Sequence, residues 1–396
     1  MEKVVLAFSG GLDTTFAALY LKEEKNFEVH TAIVNTGGFS EEELKELEQK
    51  AYKLGVAHHE TLEETQVYYE KIVKYLIFGN ILKNNTYPLS VSSERVHQAI
   101  ALVNYAKKIG AKYIAHGSTG AGNDQIRFDM IFKILAPEIE IITPIRDLQL
   151  TREEEIEYLK KHGVEGDFEK SKYSYNVGLW GTSIGGKETL TSHEALPEEA
   201  FLHQAEKTEP QTIEIEFTRG ELTAFNGKKM NPVEVIRAVE EVASQYGIGR
   251  DYHIGDTIIG LKGRIGFEAA AATVIIKAHH TLEKHTLTKW QLLTKEQMMP
   301  TYGTLLHEGQ YLDPVMRDFE AFLESSQKNV NGKVTVELYP YRFMVSGIQS
   351  PNDLMNSDFG DYGEMNRLFT SEDAKGFINV LSNSLKIYHH VNNGFD

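Results

Sequence analysis

The stretch that decides the fold lies near the start of the chain and reads Phe8-Ser9-Gly10-Gly11-Leu12-Asp13-Thr14-Thr15. It follows Val4–Phe8, a continuous apolar run typical of a strand buried on both faces of a parallel sheet. A helical pattern then continues to about Lys22. Paired glycines let backbone N–H groups approach a ligand closely, and a helix N-terminus favours an anion. The stretch therefore predicts a phosphate-binding loop, the alternative being an ordinary strand-to-helix turn that needs glycine.

Working outward from this loop, the first 165 residues alternate strand-like and helix-like segments. Further strands are predicted at Glu28–Val34, Val56–Glu60, Lys112–His116 and Glu138–Thr143. Helices are predicted after a capping box at Ser40–Glu43, over Ser93–Ile109, and after a second capping box at Thr151–Glu154. Repeated strand–helix units indicate an α/β fold, a doubly wound parallel sheet with right-handed crossovers.

The character of the chain changes after about residue 170. Alternating apolar residues and Asn-Gly or Arg-Gly turns predict antiparallel hairpins near residues 213–227 and 332–338, with a helix over Met230–Tyr246 between them. An amphipathic helix is predicted from Ser371 to about Val391. We therefore expect a nucleotide-binding domain at 1–168, an α+β domain at 169–365 and a C-terminal helix at 366–396.

Composition excludes several classes of function. The 41 Lys and Arg residues against 57 Asp and Glu give a net charge of −16, which disfavours binding to nucleic acid or to an anionic membrane. The chain has no cysteine, so disulfides, thiolate metal sites and thiol nucleophiles are excluded. No secretory signal and no run of 18 apolar residues is present, so we expect a cytoplasmic protein. We expect no metal site built from protein ligands alone.

A second motif, His116–Phe128, follows the predicted fourth strand. It reads H-G-S-T-G-A-G-N-D-Q-I-R-F and combines three glycines with hydroxyl, amide, carboxylate and guanidinium groups. The carboxyl end of a parallel strand is where open α/β sheets bind ligands, although a flexible glycine-rich loop is the simpler interpretation. A third segment, Tyr87–Arg95, reads Y-P-L-S-V-S-S-E-R and precedes the long predicted helix.

The first motif resembles the loop of the N-type ATP pyrophosphatases, which grips the pyrophosphate part of ATP. The second is similar to the H-G-x-T-G-x-G-N-D-Q-x-R-F signature of the argininosuccinate synthase family, and the third to that family's Y-x-L-x-x-S-x-x-R segment. The resemblance implies that the ureido oxygen of citrulline attacks the α-phosphorus of MgATP. Aspartate then displaces AMP to give argininosuccinate. No protein nucleophile is needed, and positioning and charge stabilisation supply the catalysis.

The resemblance also implies roles for individual residues and an assembly. It assigns ATP to Ala7, Phe8, Ser9, Gly10, Gly11, Leu12, Asp13, Thr14, Thr15, Val34 and Gly117. It assigns aspartate to Thr119, Asn123 and Asp124, and citrulline to Tyr87, Ser92, Asn123, Arg127, Ser174 and Ser183. Asp13, Asp124 and Arg95 are the predicted catalytic residues, Arg95 being either structural or a cation that faces a carboxylate. Magnesium is expected to be held mainly by ATP oxygens and water. The implied assembly is a homotetramer that exchanges its terminal helix.

Two segments depart from the family pattern. The family's D-E-N-L segment loses its acidic pair within Tyr175–Ser183, and its citrulline-binding Glu and Tyr are replaced by Gly255 and Phe267. Three explanations stay open: Asp256, Tyr175 or His253 substitutes for the missing groups; the substrate is an N-acylated citrulline; or the chain is a nucleotide-binding protein without activity. Another adenylating ligase of the same superfamily is a further alternative.

Overall fold

The computed structural model describes residues 1–120, 122–164, 172–355, 368–392 and 394. The chain divides into two compact units, Met1–Pro351 and Asn352–Asp396. No helix in the described ranges is long and apolar enough to cross a membrane. The domain boundaries expected at residues 168 and 365 stay predictions.

The first unit begins with a five-stranded sheet in which every pairing is parallel. Its strands are β1 Lys3–Ala7, β2 Glu28–Asn35, β3 His58–Glu63, β4 Tyr113–Ala115 and β5 Glu140–Ile142. The order is β3-β2-β1-β4-β5, so the chain runs outward from β1 in both directions. This confirms the predicted doubly wound sheet. The switch point lies between β1 and β4, and ligands of such sheets bind where the loops leave the strands at that point.

The helices that accompany this sheet include the four predicted from sequence. They are α1 Leu12–Glu23, α2 Glu41–Lys53, α3 Thr65–Tyr68, α4 Lys74–Phe78, α5 Ser90–Ile109, α6 Asp124–Leu135, α7 Pro144–Leu148 and α8 Arg152–Lys161, with one π-helical turn at Tyr69–Val73. The four predicted helices are α1, α2, α5 and α8. Both predicted capping boxes form, because Ser40 and Thr151 each accept the backbone N–H three residues later while that glutamate bonds back.

The rest of the first unit contains two antiparallel sheets. Their strands are β6 Ser174–Asn176, β7 Thr182–Gly185, β8 Gln211–Thr218, β9 Glu221–Phe225, β10 Lys228–Lys229, β11 Arg250–Asp256, β12 Lys262–Glu268, β13 Gly332–Tyr339 and β14 Arg342–Gln349. One sheet has the order β10-β9-β8-β13-β14 and contains both predicted hairpins. The other, β11-β12-β7-β6, was not predicted from the sequence.

The described part of this region also has four α-helices, α9 Pro232–Ala243, α10 Ala270–Thr286, α11 Lys289–His307 and α12 Val315–Ser326. Of these, α9 and α10 pack on the larger sheet, whereas α11 and α12 pack on each other and on α5 and α4. The helix predicted at Met230–Tyr246 is α9, extended by one 3₁₀ turn at Ser244–Tyr246. One continuous apolar core joins the parallel sheet to this region through residues such as Val5, Leu102, Ile215 and Val274. Both halves of the first unit therefore hold the ligand-facing loops on one rigid core.

The described residues of the second unit form two helices, α13 Ser371–Leu381 and α14 Asn383–Val391. The prediction of one uninterrupted helix was wrong in this detail, because Ser382 separates them. A capping box, Thr370 with Asp373, begins α13. Apolar side chains of both helices are more than half exposed, among them Phe377, Leu381, Leu385 and Tyr388.

Candidate active site

A cavity of about 650 Å³ lies at the carboxyl ends of β1, β2 and β4. The residues predicted from sequence that line it are Ala7, Phe8, Ser9, Gly11, Leu12, Asp13, Thr14, Val34, Arg95, Gly117, Asp124 and Ser174. Gly10 and Thr15 belong to the same loop but are buried beneath it. The loop after β1 and the loop after β4 therefore face one ligand-sized space at the switch point of the sheet.

The loop after β1 has a backbone conformation that favours glycine at its third residue, Gly10. Gly10 has φ +71°, and a Cβ there would lie 2.2 Å from Leu47 Cδ2 of α2. The Lys50 ammonium of α2 donates to the Gly10 carbonyl. Gly11 is the N-cap of α1 and provides no side-chain cap, so the first-turn N–H groups point towards the cavity without such a partner. This arrangement suits an anion such as a phosphate.

Hydroxyl groups order the same loop. The Ser9 N–H donates to Thr14 Oγ1 at 3.3 Å, and the two hydroxyl oxygens lie 3.2 Å apart. Thr15 Oγ1 donates to the Gly10 carbonyl at 3.4 Å from below the loop. Burial raises the pKa of Asp13 above its ordinary value, although its backbone bond and Arg152 act in the opposite direction. Ser9, Asp13 and Thr14 thus place oxygen atoms beside the predicted phosphate position.

The two loops approach each other at Gly117. A Cβ on Gly117 would lie 3.1 Å from Thr14 Cγ2 and 3.2 Å from Asp13 Cβ, so glycine permits this contact. His116 holds the second loop in place, since its Nε2 lies 2.9 Å from Asp129 Oδ1 and its Nδ1 accepts the Ser118 N–H at 3.1 Å. Both ring nitrogens are therefore used in shaping the loop.

The opposite part of the cavity is apolar. Ala32, Ile33 and Val34 of β2 line it together with Leu102 of α5 and Phe128 of α6. Val34 is the residue predicted to touch adenine, and it is buried at the end of β2. An apolar wall at one end and N–H donors at the other match the two ends of a nucleotide.

A carboxylate held by two arginines lies between the cavity and the interior. Asp124 Oδ2 accepts from Arg95 Nε at 3.0 Å, and Asp124 Oδ1 accepts from Arg127 Nη1 at 2.8 Å. Burial acts to raise the pKa of Asp124, but the two guanidiniums outweigh it and hold that pKa below its usual value. Arg95 also donates to Gln98 and Asn176. Arg95 therefore contacts Asp124 and also lines the cavity, and its role stays a prediction.

The residues predicted to bind citrulline lie mostly behind the cavity wall rather than on it. Tyr87, Ser92, Arg127 and Ser183 are all buried, and only Ser174 lines the cavity. The Tyr87 hydroxyl accepts the Val91 N–H at 3.1 Å. Arg127 Nε donates to the His307 carbonyl at 3.0 Å. This group is brought together by α5, α6, β7 and α11.

The residues predicted to bind aspartate are separated in the structure. Asp124 faces the cavity, whereas Thr119 is exposed in the loop. Asn123 Oδ1 accepts the Ile258 N–H at 2.9 Å, which connects this loop to the turn between β11 and β12. The structure thus joins the loop after β4 to the second half of the chain.

The two departures from the family pattern lie on neighbouring strands. Gly255 lies on β11 and Phe267 on β12, and the Phe267 ring is 5.4 Å from the Tyr87 ring. Alternation along β11 puts His253 and Gly255 on one face and Asp256 on the other. Asp256 is exposed and pairs with Lys262 at 2.6 Å. Tyr175 donates to the Ala200 carbonyl and faces the main cavity.

Sequence reasoning missed Glu94, which is 1% exposed on α5. Its Oε1 accepts from Thr36 Oγ1 at 3.1 Å, and a Cβ on Gly178 would lie only 1.7 Å from that oxygen. Burial raises the pKa of Glu94 to about 8. The acidic pair is missing from the segment around Gly178, and Glu94 brings a carboxyl group to it from α5. The position of Glu94 directly before Arg95, within the third motif, was the available signal.

Known proteins match the chain along nearly its whole length. The family model for the argininosuccinate synthase N-terminal HUP domain matches residues 3–165, and the model for the C-terminal domain matches residues 173–388. The chain belongs to the argininosuccinate synthase family. This is a family of ATP-dependent ligases that form C–N bonds in arginine biosynthesis.

Individual members of the family show the extent of the similarity. An argininosuccinate synthase of Methanocaldococcus jannaschii is 41% identical over 371 residues, which cover 92% of this chain and 93% of that protein. One of Dictyoglomus thermophilum is 38% identical over 96% of this chain and 95% of its own length. One of Xylella fastidiosa is 37% identical over 99% and 98%. The match therefore includes the second half, where Gly255 and Phe267 lie.

Proposed function

We propose that this protein joins aspartate to a citrulline with consumption of ATP. The ureido oxygen of citrulline attacks the α-phosphorus and pyrophosphate leaves, which gives a citrullyl-AMP. The aspartate amino group then attacks the ureido carbon, a proton is lost and AMP leaves as argininosuccinate forms. The observation that carries the proposal is one cavity with N–H donors at one end, an apolar wall at the other and Asp124 between two arginines.

The chain's own residues divide the work in this proposal. The amides behind Gly10 and Gly11 hold the β- and γ-phosphates, while Ala7, Phe8, Val34 and Gly117 position the rest of the nucleotide. Asp124 accepts from the ammonium of aspartate, and Arg95 keeps the carboxylate of Asp124 oriented. Arg127 faces the citrulline carboxylate from the buried side. Because these groups are fixed by the core, little reorganisation is needed during reaction.

We further propose that magnesium enters with ATP. The oxygen atoms of Ser9, Asp13 and Thr14 at the phosphate end suit a hard divalent cation that keeps most of its water and phosphate ligands. No group of three His, Asp or Glu residues in the described ranges forms a metal cage of its own. Bound magnesium would neutralise phosphate charge and polarise the α-phosphoryl group.

The decisive experiment follows both the products and the oxygen atom. Pyrophosphate and AMP release from MgATP is measured with aspartate and a citrulline, together and singly. A citrulline labelled with ¹⁸O in the ureido group is expected to transfer that label to AMP. Tight ATP binding without pyrophosphate release, for citrulline and for acylated citrullines alike, would instead identify a nucleotide-binding protein. Pyrophosphate release without label in AMP would indicate a different adenylating ligase.

We also propose a cytoplasmic homotetramer that acts on small molecules. The exposed apolar side chains of α13 and α14 support this, because burial of such surfaces drives association. Light scattering after gel filtration measures the mass directly. A mass close to the 44.7 kDa of one chain would refute the tetramer.

A further inference from the structure

We propose that the substrate is a citrulline whose α-amino group is acylated, selected by the buried cluster of Tyr87, Arg127, His253, Phe267 and His307. This inference rests on the proposed function and specifies its substrate class. We refer to these five residues as the His253 cluster. Tyr87 and Arg127 are the residues of this cluster that the sequence assigned to citrulline.

The His253 cluster is a compact stack of rings behind the main cavity. The His253 ring lies 4.9 Å from the Tyr87 ring with nearly parallel planes, and 5.6 Å from the His307 ring. Phe267 closes another side, 5.4 Å from Tyr87. Arg127 donates to the His307 carbonyl and connects the cluster to Asp124. The cluster is therefore continuous with the proposed reaction site.

The charges in this cluster are unfavourable for a free ammonium. Burial lowers the pKa of His253 to about 4, with further lowering by Lys83 and Arg127, and the same causes lower the pKa of His307 to about 3. Both imidazoles are thus neutral at pH 7, and the neighbouring full charges of Lys83 and Arg127 are positive. An α-ammonium placed here would be repelled by both cations.

The carboxyl groups nearby are not available to offset that repulsion. Asp124 is paired with Arg95 and Arg127, and in the proposed function its remaining acceptor capacity is used by the ammonium of aspartate. Glu94 holds its proton at neutral pH because its pKa is about 8. Asp256 projects from the opposite face of β11 and pairs with Lys262. Among the described residues of the cluster, no uncommitted carboxylate faces the substrate position.

A neutral amide, in contrast, finds a suitable partner. His253 is 8% exposed, and its Nδ1 is buried with no hydrogen-bond partner among the described residues. A neutral imidazole nitrogen can accept from an amide N–H or donate to an acyl carbonyl. Gly255 leaves this ring unobstructed, because a Cβ there would lie 3.0 Å from His253 Nε2 and 3.2 Å from Asn84 Nδ2. Acylation removes the positive charge of the substrate α-amino group, which would otherwise be buried without a partner. It also provides an amide that can bond to His253 Nδ1, so both effects favour the acylated substrate.

The test compares kcat/KM for citrulline, N-acetylcitrulline and N-succinylcitrulline with saturating MgATP and aspartate, by pyrophosphate release. We expect kcat/KM for at least one acylated substrate to exceed that for citrulline at least tenfold. Comparing the N-acetyl with the N-succinyl substrate shows which acyl group the site accepts. Equal or higher kcat/KM with free citrulline would overturn the inference while leaving the proposed function intact. No turnover with any of the three would overturn both.

Variants test whether residues at the His253 cluster determine the preference between citrulline and an acylated citrulline. Gly255→Glu combined with Phe267→Tyr adds a carboxylate and a hydroxyl, and is expected to shift the substrate ratio at least tenfold towards citrulline. Phe267→Tyr alone is a milder version should the double variant fail to fold. The matched control is Asp256→Asn on the outer face of β11, which is expected to leave the ratio unchanged. An unshifted ratio in folded Gly255 and Phe267 variants, or a shift in the control, would overturn the assignment.

Discussion

The phosphate end of the cavity and the His253 cluster recognise ligands in different ways. At the phosphate end the predicted ligand contacts come mainly from backbone N–H groups. Gly10 has a positive φ, Gly11 is the N-cap of α1, and Ser9 and Thr14 have small side chains. In the His253 cluster, five large side chains meet in a buried group, with Tyr87 just before α5 and the other four on α6, β11, β12 and α11. The first region depends on eight consecutive residues, and the second on contacts between residues up to 180 positions apart.

This difference determines how each region tolerates change. A loop that binds its ligand through backbone N–H groups tolerates substitution of many of its side chains, but hardly any replacement of its glycines. A side-chain cluster accepts substitution at the cost of altered chemistry, which is how Gly255 and Phe267 can change what is bound without changing the fold. Asp124 connects the two regions, because it lines the cavity and accepts a hydrogen bond from Arg127 of the His253 cluster.

The largest effect is expected for Asp124→Asn. The substitution leaves Arg95 and Arg127 without their shared carboxylate, and losing such charged hydrogen bonds at a partly buried position costs about 1–3 kcal/mol. We expect urea denaturation to show that loss, and pyrophosphate release to fall at least a thousandfold. Asp256→Asn breaks an exposed pair with Lys262 and is expected to change stability by less than about 1 kcal/mol. Equal, small effects in both variants would mean that Asp124 does not join the two regions.

The next largest effect is expected for Gly10→Ala. A non-glycine residue at φ +71° costs about 1–2 kcal/mol, and the added Cβ would also collide with Leu47. We expect ATP affinity, measured by calorimetry, to fall about a hundredfold. Gly110→Ala is the matched control, because φ is +68° there and no atom lies within 4 Å of the added Cβ. It is expected to lose comparable backbone stability with unchanged ATP affinity. Weakened ATP binding in Gly110→Ala would contradict a local role for the loop.

The same contrast explains what the sequence could predict. The loop, the parallel sheet and the capping boxes of Ser40 and Thr151 depend on short-range patterns, and the structure confirms them. The sheet β11-β12-β7-β6 was missed because β12 also pairs with β7, where Gly266 lies opposite Ile184 from a distant part of the chain. The stacking of Tyr87 on His253 joins residues 166 positions apart by their numbers, and no local pattern indicates it. Resemblance supplied the roles of Tyr87 and Arg127, but only the fold shows what surrounds them.

A smaller effect with a distinct pH signature is expected for Glu94→Gln. Burial raises the pKa of Glu94 from 4.5 to about 8 in the folded protein. Between about pH 5 and pH 8 the folded state therefore holds a proton that the unfolded state has lost, so stability decreases as pH rises, by up to about 1.4 kcal/mol per pH unit. Denaturation across this range is expected to show a shallower decrease in Glu94→Gln than in the wild type. Parallel curves would show that Glu94 is charged in the folded protein.

The smallest effect is expected for Ser40→Ala, which removes the cap of α2. Loss of such a cap costs about 1 kcal/mol. The contacts of α2 with the phosphate loop come from Leu47 and Lys50, two turns or more beyond the cap, so local fraying at Ser40 does not reach Gly10. We expect a small decrease in stability with ATP affinity within twofold of wild type.

Thr151→Ala removes the equivalent cap of α8, where the cavity-lining Arg152 is the next residue. A fall in ATP affinity for Thr151→Ala alone would show that a helix end supports the cradle only where it touches the ligand. A fall for Ser40→Ala would mean that the loop relies on the whole of α2 rather than on its own backbone.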